Sequence, residues 1–419
     1  MSGGQNGGRQ RVVVTGLGAV SPLGCSVDSL WEGLLAGRSG AASITDFDLS
    51  NCRTRIGARV SGYDPGLYFS YKELKRLSLT SQFVLVAVDE ALKSADLDAN
   101  ECDPQGVGVI LGGSSGGFAA VEPHMERFFI EKTVRDPLTI PTIMNNAPAS
   151  NVSIRFGFKG PLMTIDAACS SAAHAIGYAF NLIRCGLLPM AITGAGDSSL
   201  CASLIHAWSN LRALSERNDT PQESCRPFSL DRDGMVLGEG AGILILESES
   251  SALKRGARIL AEITGYAATS DSHHLTQPAL DGIGQTMQLA LADAGLSPGQ
   301  VDYINAHATA TLWNDKTETA AIKNVFGPSA GTIPVVGIKA AIGHSIAASG
   351  ALELISCVLS IRDGILPPTL NLKVPDPECD LDYVSEGART WEVTHAISNS
   401  FAFGGSNAVL VVSRYDRPS

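Results

Sequence analysis

In each half of this chain an apolar strand ends in small residues and turns at once into a helix, and each time a reactive side chain stands at the turn. In the first half Met163, Thr164 and Ile165 lead through Asp166, Ala167 and Ala168 to Cys169, and an apolar-periodic stretch follows over 172–185. The spacing predicts a buried strand, a tight turn carrying the cysteine, and a helix. In the second half the strand over 301–306 ends at His307, and the strand over 333–338 ends at Lys339, with His344 five residues on and a small-residue helix over 345–362. Strands alternate with helices throughout, which is the signature of α/β layers, here duplicated with one site between the halves. A helix N-terminus carries partial positive charge, so Cys169 is expected to be a thiolate-prone nucleophile with a lowered pKa. The competing reading is a small buried hydrophobe.

The 419 residues exceed what one small core needs, and the composition shifts near Gly256. The chain therefore divides into a flexible glycine-rich segment over 1–10 and two halves, 11–256 and 257–419. A formal net charge of −11 argues against nucleic acid and against a basic membrane surface as partners. Nine cysteines are scattered without a CxxC pair, so neither a zinc site nor a disulfide framework follows, and a reducing cytoplasm is the expected location. No signal-peptide pattern and no apolar run of membrane-spanning length is found.

Two glycine-rich stretches invite a nucleotide reading. Residues 11–20 read as a strand followed by a glycine turn, but Ser21 stands where the third glycine of GxGxxG belongs and Pro22 follows. Residues 106–111 form a second strand ending in a run over 112–117 that lacks the lysine of a phosphate loop, so a close backbone approach is expected there instead. Lys72, Lys75 and Arg76 make an exposed basic cluster in an acidic protein, which by itself is a solvated helix face. His307, His344 and Cys169 as a metal site lack a further carboxylate or cysteine at ligand spacing, so no metal is expected.

Together these turns carry a resemblance. Cys169 in DAACSS, His307 in NAHATAT, Lys339 and His344 in KAAIGH, Phe401 to Asn407 in FAFGGSN, the run RPFSLDRDGMVLGEGAG over 226–242 and LPPTLNL over 366–372 stand in order. The chain resembles the elongating β-ketoacyl-[acyl-carrier-protein] synthases, the type II ketosynthases of fatty-acid and polyketide assembly. The resemblance implies a thiolase-like α/β fold of duplicated αβαβα halves in five layers. It also implies a decarboxylative condensation in which Cys169 holds the acyl chain, while His307 and His344 promote loss of carbon dioxide from malonyl-carrier protein. Lys339 would orient this region with Glu353 as companion, and Phe403 would gate the cysteine. Backbone N–H groups of Cys169 and Phe403 would form an oxyanion hole. Thr309, Thr311, Ser115 and Phe401 would meet pantetheine or substrate. Lys72, Lys75, Arg76, Arg135 and Arg212 would receive the acidic carrier protein. No cofactor is implied beyond the phosphopantetheine carried in on the substrate. A homodimer is implied, with a heterodimer alongside a chain-length-factor-like subunit as the other arrangement.

The chain departs from the family's usual residues at Ala308, Leu312, Ala340 and Ala402. Alanine at 402 would strain a loop that needs positive φ, and Leu312 with Trp313 would add bulk near the pantetheine tunnel. These departures point to an unusual acyl chain. Two other readings stay open: a non-catalytic chain-length-factor-like partner, against which the intact Cys169 argues, and a thiolase, against which the absence of a cysteine in the 399–407 loop argues.

Overall fold

The computed structural model describes residues 9–115, 117–133 and 136–417. Ten strands form one mixed sheet: β1 (Val12–Val20), β2 (Val107–Gly112), β3 (Leu162–Ile165), β4 (Met190–Ser198), β5 (Glu239–Ser248), β6 (Ala261–Ser270), β7 (Tyr303–Asn305), β8 (Val335–Val336), β9 (His395–Ala402) and β10 (Ser406–Ser413). Their order across the sheet is β8-β7-β9-β10-β6-β1-β5-β4-β2-β3. Numbered within its own half, each set of five strands has the same order, third-second-fourth-fifth-first, and the two first strands, β1 and β6, pair antiparallel to join the halves. The chain is a structural duplication.

Helices complete the layers: α1 (Leu79–Ser94), α2 (Phe118–Glu131), α3 (Ala147–Phe156), α4 (Ser171–Arg184), α5 (Ala202–Asn210), α6 (Leu280–Ala294), α7 (Asn314–Phe326) and α8 (Ser349–Asp363). α1 covers the outer face of the first half and α6 that of the second, while α4 and α8 pack on each other and touch strands of both halves. This makes five layers, with α4 and α8 in the middle. α8 buries every residue from Ser349 to Ile361, so its serines and Glu353 have only protein to face. α4 and α8 occupy equivalent places in the two halves, each following the third strand, so the turns that precede them meet at the centre.

The sequence reading and the structure differ at several points. Gly16 and Gly18 lie inside β1 rather than in a turn after it. A Cβ on Gly18 would stand 1.8 Å from the Ala87 carbonyl oxygen and one on Gly16 2.4 Å from that of Ala91, so these glycines let α1 lie directly on the strand. The expected close approach is present at the end of β2, since a Cβ on Gly112 would stand 2.6 Å from the Ser171 backbone at the start of α4. β3 was expected to be buried but is the sheet's edge strand, with Leu162 and Met163 exposed. Residues 1–8 lie outside the described residues; Arg9 and Gln10 are held, by an ion pair to Asp293 at 3.1 Å and a hydrogen bond to the Arg184 carbonyl at 2.9 Å. Among the described residues no helix is long and apolar enough to cross a membrane.

Candidate active site

Cys169 sits in a single 3-10 turn, Ala168–Ser170, between β3 and α4. Ala168 takes φ 49°, a left-handed value that costs an alanine about 1–2 kcal/mol and sets the sharp turn. Hydroxyls fix the turn on both sides. Ser170 donates to the Ser406 carbonyl at 3.0 Å, and Ser171 donates to that of Gly113 at 3.1 Å. The sulfur is buried, and burial pushes its thiol up to about 11. The Lys339 cation and the backbone N–H groups of Phe403 and Cys169 pull the other way and are outweighed. The lowered pKa read from the helix N-terminus is therefore corrected: desolvation of the sulfur exceeds the local positive field, and the resting group is a thiol.

The second half brings its turns to the same place. His307 and His344 are fully enclosed, with ring centroids 5.4 Å apart and planes at 87°. Lys339 Nζ donates to the His307 carbonyl at 2.6 Å, lies 3.3 Å from His307 Nδ1, and forms a buried ion pair with Glu353. An ammonium only donates, so His307 Nδ1 accepts and the ring proton is on Nε2. His344 Nδ1 lies 2.8 Å from Ser349 Oγ, and His344 Nε2 is buried without a partner in the protein. Burial, then Lys339, then His344 hold the His307 pKa well below the ordinary imidazole range; burial and Lys339 do the same for His344. Both rings are neutral at pH 7 and can donate hydrogen bonds without carrying charge. Burial pushes the Glu353 carboxyl up to about 7 against the pull of Lys339.

A cavity of about 350 Å³ opens onto these groups. Cys169, His307, His344, Phe401, Phe403, Thr309, Thr311 and Arg212 all line it, with the two threonine hydroxyls 2.8 Å apart and Arg212 exposed at its mouth. Leu312 and Trp313, more than half exposed at 58% and 57%, form part of the same wall. Phe403 stacks on Trp208 of α5, with centroids 5.7 Å apart, and Phe401 meets the His307 ring at 5.9 Å. Ala402 has φ −112°, ordinary extended backbone, so the strain expected there is not present in this conformation. Ser115 does not line the cavity; its hydroxyl instead lies 2.9 Å from that of Ser199. Lys72 lies within the short helix Tyr71–Leu74 and Lys75 and Arg76 follow it; all three are exposed and do not line the cavity. Arg135 lies outside the described residues.

Sequence reasoning missed Glu318, on the buried face of α7. Its carboxylate accepts the N–H of His307 at 2.8 Å, the N–H of Ala308 at 2.9 Å and the side-chain amide of Asn399 at 3.0 Å. The polar residues Asn314, Asp315 and Glu318 recur at helical spacing and are all buried, the one signal that could have exposed it. The loop over 271–278 was also missed. It walls the cavity and ties to the Phe403 turn, since Asn407 donates to Asp271 at 2.6 Å and the Gly404 N–H to the Leu275 carbonyl at 2.7 Å. The charged run over 226–242 braces both histidine segments. Arg232 pairs with Asp376 at 2.5 Å and donates to the Thr311 carbonyl at 3.0 Å, while the His344 N–H donates to the Val236 carbonyl at 2.7 Å.

Comparison with known proteins fits this arrangement. The β-ketoacyl synthase N-terminal domain family matches residues 9–252, and the C-terminal domain family matches residues 260–373. The 3-oxoacyl-[acyl-carrier-protein] synthase 2 of Synechocystis sp. is 42% identical, covering 97% of this chain and 99% of its own length. That of Coxiella burnetii is 40% identical with the same coverage. Among solved structures, the ishigamide ketosynthase/chain length factor superposes with a TM-score of 0.92 at 35% identity, covering 97% of this chain and 100% of the other. A type II polyketide synthase acyl-carrier protein in complex with its ketosynthase bound to the hexaketide gives 0.90 at 32% identity, with equal coverage.

Proposed function

The chain belongs to the β-ketoacyl synthase family, and from that premise we propose how its own residues carry out a decarboxylative Claisen condensation in fatty-acid or type II polyketide biosynthesis. Cys169 attacks the thioester of an acyl-[acyl-carrier-protein]; the carbon–sulfur bond to pantetheine breaks, the thiol proton passes to the departing pantetheine sulfur, and the acyl group stays on Sγ. Malonyl-[acyl-carrier-protein] then enters with its thioester oxygen toward His307 Nε2 and His344 Nε2. The carbon–carboxylate bond breaks, carbon dioxide leaves, and the electron pair becomes an enolate held by two neutral N–H donors. The enolate carbon attacks the acyl-Cys169 carbonyl, whose oxygen is met by the N–H groups of Cys169 and Phe403, and the cysteine leaves and regains a proton. The product is a 3-oxoacyl chain longer by two carbons.

The observation that carries this reading is the pair of neutral imidazoles, 5.4 Å apart, sharing one cavity with Cys169. A cationic pair would bind the ground-state carboxylate as well as the enolate, whereas neutral donors favour charge that develops at the thioester oxygen. The high thiol pKa suits an enzyme whose cysteine is acylated by proton exchange with its leaving group rather than held as a free thiolate. Thr309 and Thr311 hold the pantetheine arm, and the arm arrives on the substrate, so no resident cofactor is needed. Arg212 at the cavity mouth, with Lys72, Lys75 and Arg76, receives the acidic carrier protein in the cytoplasm. β3 is a sheet-edge strand with Leu162 and Met163 exposed, and α2 exposes Met125, Phe128, Phe129 and Ile130; unpaired backbone at that edge together with exposed apolar side chains supports a dimer built across the β3 edge. A second copy of this chain is the proposed occupant.

Intact-protein mass spectrometry with acyl- and malonyl-carrier proteins tests the reading. The expected result is an acyl adduct on wild type, absent from Cys169→Ala, that discharges as a product two carbons longer; a folded wild-type protein that takes no acyl group from any donor contradicts it.

A further inference from the structure

Behind Cys169 the chain carries a row of hydroxyls that the condensation does not use. Ser115 Oγ lies 2.9 Å from Ser199 Oγ, and Ser199 Oγ is hydrogen-bonded to the carboxyl of Asp197. Ser199 and Asp197 are fully buried, whereas Ser115 is half-buried, so the row leads from the interior to a partly exposed residue. The sheet explains its position. Ser115 follows β2, Cys169 follows β3 and Ser199 follows β4, and these parallel neighbours are in register, with Gly112 opposite both Ile165 and Ala195. Their ends emerge together. Leu200, next to Ser199, packs in the same apolar cluster as Cys169, Ile205 and Ile346. The Asp197 charge also reaches the Cys169 sulfur and helps hold its proton. Neither the row nor Leu200, Ile205 and Ile346 lines the cavity in front of Cys169. With pantetheine in that cavity, an acyl chain on Sγ has to run to the other side, toward them.

Asp197 forms no ion pair among the described residues; beyond Ser199 it accepts only backbone N–H groups, that of Ala347 at 3.5 Å among them. Burying such a carboxyl is costly, and an apolar acyl channel has no need of it. We propose that the Ser115–Ser199–Asp197 row is the polar end of the acyl-binding region and selects acyl chains bearing a hydroxyl or keto oxygen over fully saturated chains. This rests on the condensing-enzyme reading above. The row can serve either oxygen. With Asp197 ionised, Ser199 donates to it and Ser115 donates to Ser199, leaving Ser115 lone pairs for a substrate hydroxyl. With Asp197 neutral, the three bonds reverse and Ser115 donates to a keto oxygen. A saturated chain would cover Ser115 and leave its outward hydrogen-bonding capacity unused, with only the bond to Ser199 remaining.

The test measures kcat/KM for Cys169 acylation, by intact mass, from matched saturated, hydroxy and keto acyl-carrier proteins of equal length. Wild type is compared with Ser115→Ala and Ser199→Ala, with melting temperature as the control for folding. The expected result is a preference of about tenfold or more for at least one oxygenated series in wild type, falling to within about threefold in both variants. Efficient acylation by saturated donors with no preference in wild type overturns this proposal alone, as does a preference that survives both substitutions. Absence of acylation from every donor overturns it together with the condensing reading.

Discussion

Replacing Glu318 by glutamine separates the two half-reactions, because Glu318 bonds directly to the His307 segment and makes no hydrogen bond to the Cys169 turn. Its Oε1 accepts from His307 N at 2.8 Å and Asn399 Nδ2 at 3.0 Å, and its Oε2 from Ala308 N at 2.9 Å and Asn314 Nδ2 at 3.3 Å. Glutamine keeps the shape but turns one acceptor into a donor, so whichever oxygen it replaces, one backbone N–H and one amide are left facing a donor. Each of the two orphaned buried donors costs about 1–3 kcal/mol, so the variant should lose about 2–6 kcal/mol of stability, measured by urea unfolding. The lost bonds release the His307 segment, and a displacement of about 1 Å at a catalytic group costs up to about 100-fold in rate. Decarboxylation of malonyl-carrier protein should therefore fall by about 10–100-fold, while Cys169 acylation changes by less than about threefold. A folded Glu318→Gln protein that decarboxylates normally, or one in which acylation falls as far as decarboxylation, would refute the reasoning.

Other perturbations follow from the same geometry. Alkylation of Cys169, followed by peptide mass spectrometry, should keep rising about tenfold per pH unit through neutrality, because the thiol is pushed up to about 11; a plateau below about pH 8 would contradict that. Lys339→Met leaves Glu353 buried without its cation and should cost about 3–5 kcal/mol, most of it recovered in Lys339→Met/Glu353→Leu, which stays inactive. Equal stability of the single and double variants in thermal unfolding would show that the ion pair is not the cause. Gly337→Ala puts a Cβ 2.6 Å from that of Ala308 and should cost about 1–3 kcal/mol, which Ala308→Gly relieves in part; additive losses in urea unfolding would count against that contact.

Much of this was legible because strand periodicity and turn chemistry are local. The strands that end at Cys169, His307 and Lys339 all lie where apolar runs meet small residues, and the duplicated order explains why those turns converge. What stayed hidden depended on tertiary contact. Gly16 and Gly18 read as a turn because nothing in sequence announces a helix lying on the strand. Glu318 reads as a solvated helix position until α7 is seen to bury it beside His307. The cysteine's pKa was misjudged because the helix terminus is visible in sequence whereas the enclosure of the sulfur is not. α2 and α3 passed unread: Pro123 stands inside α2, whose apolar residues face outward, and Pro148 stands in the first turn of α3.

The division of labour between the two sides of the cavity is tested most directly by running both half-reactions on Cys169→Ala and His307→Ala in parallel, with intact mass for acylation and carbon dioxide release for decarboxylation. The expected result is a cross: Cys169→Ala takes no acyl group yet still decarboxylates malonyl-carrier protein, and His307→Ala is acylated yet releases carbon dioxide at least about 100-fold more slowly than wild type. A His307→Ala protein that decarboxylates and extends chains near the wild-type rate would contradict the neutral-imidazole mechanism at its centre.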